Sequence, residues 1–139
     1  MTAPAPSIAA SSWAPRTLSL LRIVAAALYL SHGTAKLFAV PALMPNHATV
    51  PLVSWLGLAG LIETIGGTLL LLGLFTRAAA FITSGEMAVA YFVAHAPGGF
   101  WPVVNRGEVA VLYCFIWLFI CAAGPGAWSL DAMRGRSSQ

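Results

Sequence analysis

The chain has 139 residues, of which 59% are hydrophobic and only 8% are charged. A soluble domain usually has about 25% charged residues, and a chain this short cannot bury so much apolar surface in a core of its own. The composition therefore excludes an ordinary soluble domain and predicts an integral membrane protein with room for about four spans. The net charge of +3 has no basic run with interleaved aromatics, so the expected partner is the lipid bilayer and not nucleic acid.

The two ends of the chain differ in composition from its middle. Residues 1–15 are rich in Ala, Pro and Ser and carry no positive side chain, which argues against a cleavable signal peptide. We expect them to form a flexible cytoplasmic tail. Residues 16–126 are predicted to form the membrane domain, and residues 127–139 a short basic cytoplasmic tail.

Four apolar segments follow one another within the membrane domain, at residues 17–40, 51–74, 77–95 and 106–123. Helix-breaking residues separate them, among them Pro41, Pro45, Asn46, Pro97 and Pro102. Pro51 suits the first turn of the second segment. The link between the second and third segments is very short, so these two should be antiparallel neighbours. The predicted fold class is all-α, an antiparallel bundle of four transmembrane helices.

Positive charges orient this bundle. Arg16, Arg77, Arg134 and Arg136 flank the side that holds both termini, whereas Arg106 lies at the other side. Because cytoplasmic flanks of membrane helices are enriched in Lys and Arg, both termini are predicted to be cytoplasmic.

The second segment carries an acid, Glu63, near its middle. A carboxylate at that depth costs several kcal/mol unless it is neutral, paired or turned toward a polar interior. Gly60, Gly66 and Gly67 fall on the same helical side and would let a neighbouring backbone come close. This pattern predicts a bundle helix whose inward face holds a buried acid.

A polar stripe follows the first segment, with Arg22, Tyr29, His32 and Lys36 at spacings of seven, three and four residues. These spacings put all four on one helix face, which should look inward. Arg22 and Lys36 lie near the two ends of the segment, so snorkelling to the interface is an alternative for both. His32 lies deeper, where the alternative is a hydrogen bond to a neighbouring backbone group or Tyr.

The third segment places Glu86 at a depth similar to that of Glu63. Two neighbouring buried carboxylates favour one protonated acid, whereas a basic partner on the first segment would keep both charged. A satisfied polar network that fixes helix register is the structural alternative. His95 ends this segment about half a turn round from Glu86, so we assign it to the outer interface and not to the Glu86 face.

Asn105 and Glu108 open the fourth segment in a capping-box arrangement, which explains Glu108 structurally. Glu108 should nevertheless lie in the same outer half of the bundle as His32 and Lys36. An acid, an imidazole and an amine there could form a proton-handling pocket.

Motifs of other kinds of chemistry are absent from the sequence. It contains no phosphate loop, no Gly-x-Ser-x-Gly and no metal-ligand spacing, so no metal site is expected. Cys114 and Cys121 lie seven residues apart in one apolar run, about 10 Å along a helix, which is too far for a disulfide with each other. We expect two buried, inert thiols.

Several short motifs together resemble the DoxX family of small four-span membrane proteins, over residues 21–131. The matching pieces are LR at 21–22, SHGTAKL at 31–37, GLIETIGG at 60–67, GLFTRAAA at 73–80, EMA at 86–88, NRGE at 105–108 and GPGAWSLD at 124–131. The family is named after a subunit of a thiosulfate:quinone oxidoreductase, and other members are linked to bacterial redox and thiol homeostasis. The resemblance implies a bacterial inner-membrane location and a redox or quinone-linked role. The chain has no redox cysteine pair, which argues against a direct thiol–disulfide role.

The leading hypothesis is a membrane redox component, such as a subunit of a quinone-linked oxidoreductase, that binds a quinone or another small apolar molecule inside the bundle. Two alternatives stay open: a non-enzymatic anchor or scaffold subunit that binds a protein partner, and a small-solute transporter that works as a homo-oligomer. The candidate catalytic residues are His32, Lys36, Glu63, Glu86 and Glu108, and the candidate ligand-binding residues are Arg22, Tyr29, His95 and Asn105.

Overall fold

The computed structural model describes residues 13–42 and 48–137, in which all regular structure is helical and no strand occurs. This confirms the all-α fold class. The described residues form four long helices, α1 (Ala14–Phe38), α2 (Trp55–Leu72), α3 (Thr76–Ala90) and α5 (Glu108–Ala123). A short helix, α4 (Pro102–Asn105), lies between α3 and α5, and another, α6 (Leu130–Ser137), follows α5. A π-helical turn, Tyr91–His95, and a 3₁₀ turn, Ala96–Gly98, extend α3. The predicted N-terminal tail up to residue 12, and the breakers Pro45 and Asn46, lie outside the described residues.

Local signals explain where the first two helices begin and end. Pro15 occupies the first turn of α1, where its missing N–H costs nothing. The side chain of Ser54 caps α2 by accepting a hydrogen bond from the Gly57 amide at 3.0 Å, so α2 begins at Trp55 and not at Pro51 as the sequence predicted. Gly73 then ends α2 in a left-handed conformation, with φ of 66°.

The C-terminal segment is a helix held against the bundle, where the sequence predicted a basic tail. Asp131 in α6 accepts hydrogen bonds from the backbone amides of Phe75, at 3.0 Å, and Thr76, at 2.8 Å. These amides lie at the start of α3 and have no partner within the helix. The tail prediction missed this contact because an N-terminal cap can come from any distance along the chain.

The four long helices alternate in direction, with α1 packed along α2 and α3 packed along α5. Glycines make the first of these contacts close, since a Cβ on Gly67 would lie 3.0 Å from Leu30 Cα and one on Gly60 would lie 3.1 Å from Lys36 Cβ. Gly66 instead lies against Thr83 of α3. The small-residue face predicted in α2 is therefore used against two neighbours.

We call the end of the bundle that holds the start of α1 and all of α6 the terminal end. Arg22 ties this end together, with its guanidinium 0% exposed. It donates to the carbonyls of Pro125, at 2.8 Å, and Leu71, at 2.9 Å, and also to those of Leu70 and Trp128. One side chain thus joins α1 to the end of α2 and to the chain that follows α5.

Membrane character is visible in two helices by length and composition. α1 and α2 are long and apolar enough to cross a bilayer, with mean hydropathies of 1.3 and 1.7, and only 39% and 33% of these stretches are buried in the protein. Most of each stretch faces outward, whereas the core helix of a soluble protein is mostly buried. The 16-residue α5 is a shorter apolar helix. Large apolar side chains cover the outer faces, including those of Leu28, Ile65, Phe81 and Phe115.

Candidate functional site: a polar cavity between two helix pairs

A cavity of about 950 Å³ separates the α1–α2 pair from the α3–α5 pair. It occupies the half of the bundle away from the terminal end, which we call the loop end. Most of its wall is aliphatic, and its polar lining consists of Tyr29, His32, Lys36, Glu63, Glu86, His95, Arg106 and Tyr113. This volume is near the top of the range of about 300–1,000 Å³ that is common for small-molecule sites.

Lys36 and Glu63 form an ion pair on the α1–α2 wall of the cavity. The ammonium Nζ lies 2.5 Å from Glu63 Oε1 and 2.6 Å from Oε2, so it is shared by both carboxylate oxygens. The side chain of Glu63 is 3% exposed and that of Lys36 is 19% exposed. Lys36 is therefore turned into the bundle rather than snorkelling away from it, and it is the basic partner on the first helix that the sequence left open.

Tyr29 and Glu86 form a second polar contact, which joins α1 to α3. The Tyr29 hydroxyl donates to Glu86 Oε2 at 2.8 Å. The Tyr29 ring is completely buried and packs edge-on against Tyr113, with centroids 5.4 Å apart, and against Trp117, at 5.5 Å. An aromatic cluster from α1 and α5 therefore fixes the hydroxyl, while Glu86 stays half-buried at the cavity wall.

His32 lies between these two polar contacts along α1 and lines the cavity. Its ring approaches Tyr113 edge-on, with centroids 6.4 Å apart, and its side chain is exposed. An exposed imidazole at a cavity wall can exchange protons or donate a hydrogen bond to a bound molecule. Three of the four residues of the predicted α1 stripe, Tyr29, His32 and Lys36, thus line one cavity, as expected from their spacing.

His95 also lines this cavity, and the sequence was wrong to separate it from the Glu86 face. The prediction assumed a regular α-helix between the two residues. The π-helical turn at Tyr91–His95 takes more residues per turn and rotates the chain, which brings His95 round to the cavity. His95 Nδ1 lies 3.2 Å from the carbonyl oxygen of Asn105.

Asn105 and Glu108 do not form the predicted capping box. Asn105 instead ends α4, accepts a hydrogen bond from the Gly107 amide at 2.7 Å and donates to the Gly99 carbonyl at 2.6 Å. Glu108 is the first residue of α5; it is exposed and is absent from the cavity lining. The structure thus brings His32 and Lys36 to the cavity with Glu63 and not with Glu108.

Arg22 also lies outside the cavity, since its donors are committed to the terminal end. Tyr113, Arg106 and Gly85 also line the cavity and were not among the candidate site residues predicted from the sequence. For Tyr113 a signal existed, because it lies four residues before Trp117 and shares a helix face with it. No comparable signal marks Gly85, whose importance depends on the distance between helices.

The donor set of the cavity does not suit a metal ion. Among residues 13–42 and 48–137, no group of three or more His, Cys, Asp or Glu side chains could hold one. Both cysteines are free, as the sequence predicted, but each is half-buried where the sequence predicted a buried thiol, and Cys114 Sγ lies 3.6 Å from the Ser84 hydroxyl. What the cavity offers is hydrogen-bond donors and acceptors at the back of an apolar space.

Comparison with known proteins places this arrangement in a family. The DoxX family model matches residues 17–96, which include most of α1, all of α2 and α3, and most of the cavity wall. A Haemophilus influenzae protein, described as uncharacterized, is 46% identical over 120 residues, covering 84% of this chain and 90% of its own length. An uncharacterized membrane protein of Mycobacterium tuberculosis is 30% identical over 144 residues, covering 88% of each chain. No solved structure matches the chain. The chain is therefore a membrane protein of the DoxX family.

Proposed function

We propose that the protein is a multi-pass component of the bacterial inner membrane that binds a quinone-like molecule in the cavity between its two helix pairs. In this proposal α1, α2, α3 and α5 cross the bilayer and both termini are cytoplasmic. The observation that carries the proposal is that ionisable side chains from three helices line one apolar space of about 950 Å³. Such residues are expensive in a membrane and are usually retained for function.

The chemistry of the lining supports a quinone. When bound, a quinone supplies two-electron, two-proton redox chemistry and presents two carbonyl oxygens that accept hydrogen bonds. Lys36 and His32 carry the N–H donors for such oxygens, and Glu63 and Glu86 are acceptors that can hold protons nearby. The aliphatic wall suits the rest of an apolar ring.

Contacts at the terminal end and the positions of the arginines support an orientation with this end in the cytoplasm. The Ala127 amide donates to the Pro15 carbonyl at 3.1 Å, so the start of α1 and the chain that follows α5 lie at one end. Arg77 at this same end donates to the carbonyls of Cys121 and Ala122. Arg106 lies at the loop end. This distribution of arginines favours a cytoplasmic terminal end.

Quinone binding is tested in lipid nanodiscs by quenching of tryptophan fluorescence with decylubiquinone, since Trp55 lines the cavity. We expect saturable quenching by the parent protein. His32→Ala and Glu86→Gln should each weaken binding about tenfold, which corresponds to about 1.4 kcal/mol. Leu112→Ala is the control, because Leu112 is exposed on α5 and outside the cavity lining.

The proposal fails if the parent protein shows no saturable binding, or if both cavity variants bind as the parent does. A stoichiometric protein partner in mild detergent, together with no quinone binding, would favour the anchor role instead. If a quinone-dependent activity is found, we expect His32→Ala and Glu63→Gln to abolish it while the protein stays in the membrane.

A further inference from the structure

We infer that the cavity is entered sideways from the lipid phase, through a slit between the loop-end halves of α2 and α3, by a molecule with a polar head and a hydrocarbon tail. This rests on the proposed function and on the placement of α2 and α3 in the bilayer. It adds the route of entry and the need for a tail, neither of which follows from binding of a quinone ring.

The slit exists because α2 and α3 separate as they run away from the turn that joins them. Near the middle of both helices Gly66 lies against Thr83, so the two backbones are still close there. Nearer the loop end, a Cβ added to Gly85 would meet no atom within 4 Å. Gly85 nevertheless lines the cavity. The gap next to Gly85 is therefore open space and not a packed helix contact.

The rim of the slit is apolar and faces outward. Leu58 of α2 is 48% exposed, and Val89 of α3 is 56% exposed, although both line the cavity. Val93, one turn further along, is 66% exposed and also lines it. Side chains that are at once cavity wall and outer surface show that the cavity is continuous with the side of the bundle. In a bilayer this side meets acyl chains.

The polar groups lie behind this rim. The Lys36–Glu63 pair and the Tyr29–Glu86 contact are made by α1 with α2 and α3, on the inner side of the cavity. A molecule in the cavity thus meets charge and hydroxyl groups at its inner end and aliphatic surface at the slit. A tailed amphiphile matches both regions, whereas a small polar solute would leave the aliphatic rim uncovered.

The test compares decylubiquinone with ubiquinone-0, which has the same ring and no tail, in nanodiscs of one lipid composition. Gly85→Leu fills the slit from α3, and Val89→Trp narrows it from the rim. Ala78→Leu is the matched control, because Ala78 is exposed on α3 and is absent from the cavity lining. The quantity compared is the association rate, followed by stopped-flow quenching of tryptophan fluorescence, because the route of entry sets the rate of binding and not its equilibrium. The ratio of rates between variant and parent cancels the partitioning of each quinone into lipid.

We expect Gly85→Leu and Val89→Trp to slow decylubiquinone association at least tenfold and to slow ubiquinone-0 association much less, with Ala78→Leu unchanged for both. Thermal unfolding of each variant in the same nanodiscs verifies that it is folded. An unchanged association rate of decylubiquinone in both folded slit variants, or equal slowing of the two quinones, overturns the lateral route and leaves the proposed function standing. If neither quinone binds the parent, the proposed function fails and this inference fails with it.

Discussion

The Lys36–Glu63 pair shows how two charges are tolerated in an apolar bundle. Each charge is the other's main compensation, because both Glu63 oxygens accept from the same ammonium and the carboxylate has little contact with the exterior. Removing one partner leaves the other buried and unpaired, at a cost of about 3–5 kcal/mol, whereas removing both charges together costs far less.

We therefore predict that Glu63→Gln lowers the free energy of unfolding by about 3 kcal/mol, and that adding Lys36→Met restores most of this loss. The measurement is equilibrium unfolding in detergent for the parent, both single variants and the double variant. Additive losses in the double variant would contradict the pairing, because independent sites add whereas coupled ones do not.

Arg22 has a different role, since it neutralises no acid in direct contact and instead satisfies carbonyl oxygens at helix ends. Its planar guanidinium reaches four carbonyls from several directions, which the single ammonium of lysine cannot do. We predict that Arg22→Lys lowers the free energy of unfolding by about 2–3 kcal/mol. Arg16→Lys, at an exposed residue whose guanidinium lies over the Trp13 ring, should change it by less than about 0.5 kcal/mol. Equal effects of the two substitutions in thermal unfolding would contradict this assignment.

Individual polar residues could be recognised from the sequence, but most of their partners could not. The mid-span positions of Glu63 and Glu86 and the seven–three–four spacing on α1 were enough to predict an inward polar face. Which base meets which acid depends on helix rotation and separation. Lys36 therefore paired with Glu63 and not with Glu108, and Arg22 turned to backbone carbonyls.

At the scale of elements, α6 is held to the bundle through the start of α3. Partial burial raises the pKa of Asp131, but hydrogen bonds from Thr76 and Phe75, together with the charge of Arg134, outweigh this and hold the pKa below its usual 3.8. A lowered pKa means that the carboxylate stabilises the folded state above the usual pKa. This stabilisation is lost as the pH falls through the lowered value.

We predict that Asp131→Ala lowers the free energy of unfolding by about 1 kcal/mol at pH 7, the usual cost of losing a helix cap. The difference between variant and parent should shrink as the pH falls below about 4. Thermal unfolding at pH 7, 5 and 3 measures it. A difference that stays constant over this range would mean that the charge of Asp131 contributes nothing.

Hydropathy and helix-breaking residues were enough to predict which segments form helices. They were not enough to predict which way each side chain faces around the helix axis. Periodicity assumes 3.6 residues per turn, and the π-helical turn at Tyr91–His95 breaks that assumption without any Gly or Pro inside it to announce the change. The start of α2 at Trp55 was missed for a related reason: Pro51 is a permissive first-turn residue, but Ser54 supplies the cap.

On the scale of the whole molecule, charge at the chain ends predicted which helix ends lie together, because arginines collect on one side of a membrane. The opening between the two helix pairs had no such signal. The opening exists because small residues hold α2 close to α1 over most of the length of α2. In contrast, the close contact between α2 and α3 extends from the turn that joins them only to Gly66 and Thr83. The glycines predicted close approach of a neighbouring helix, and the polar residues predicted a pocket inside the bundle, but the place where the helices part could only be seen in three dimensions.

The last prediction concerns which end of the bundle lies on the cytoplasmic side of the membrane. With Cys114 and Cys121 replaced by Ala, single cysteines are introduced by Met133→Cys at the terminal end and Val103→Cys at the loop end, both at exposed positions. In intact bacterial spheroplasts a membrane-impermeant maleimide should label the Val103 variant within minutes and leave the Met133 variant unlabelled until the membrane is permeabilised. Reversed labelling would mean that the terminal end of the bundle lies outside the cytoplasm, contrary to the prediction. Equal labelling of both before permeabilisation would mean that the two ends of the bundle do not lie on opposite sides of the membrane, and α1, α2, α3 and α5 could not all be spans.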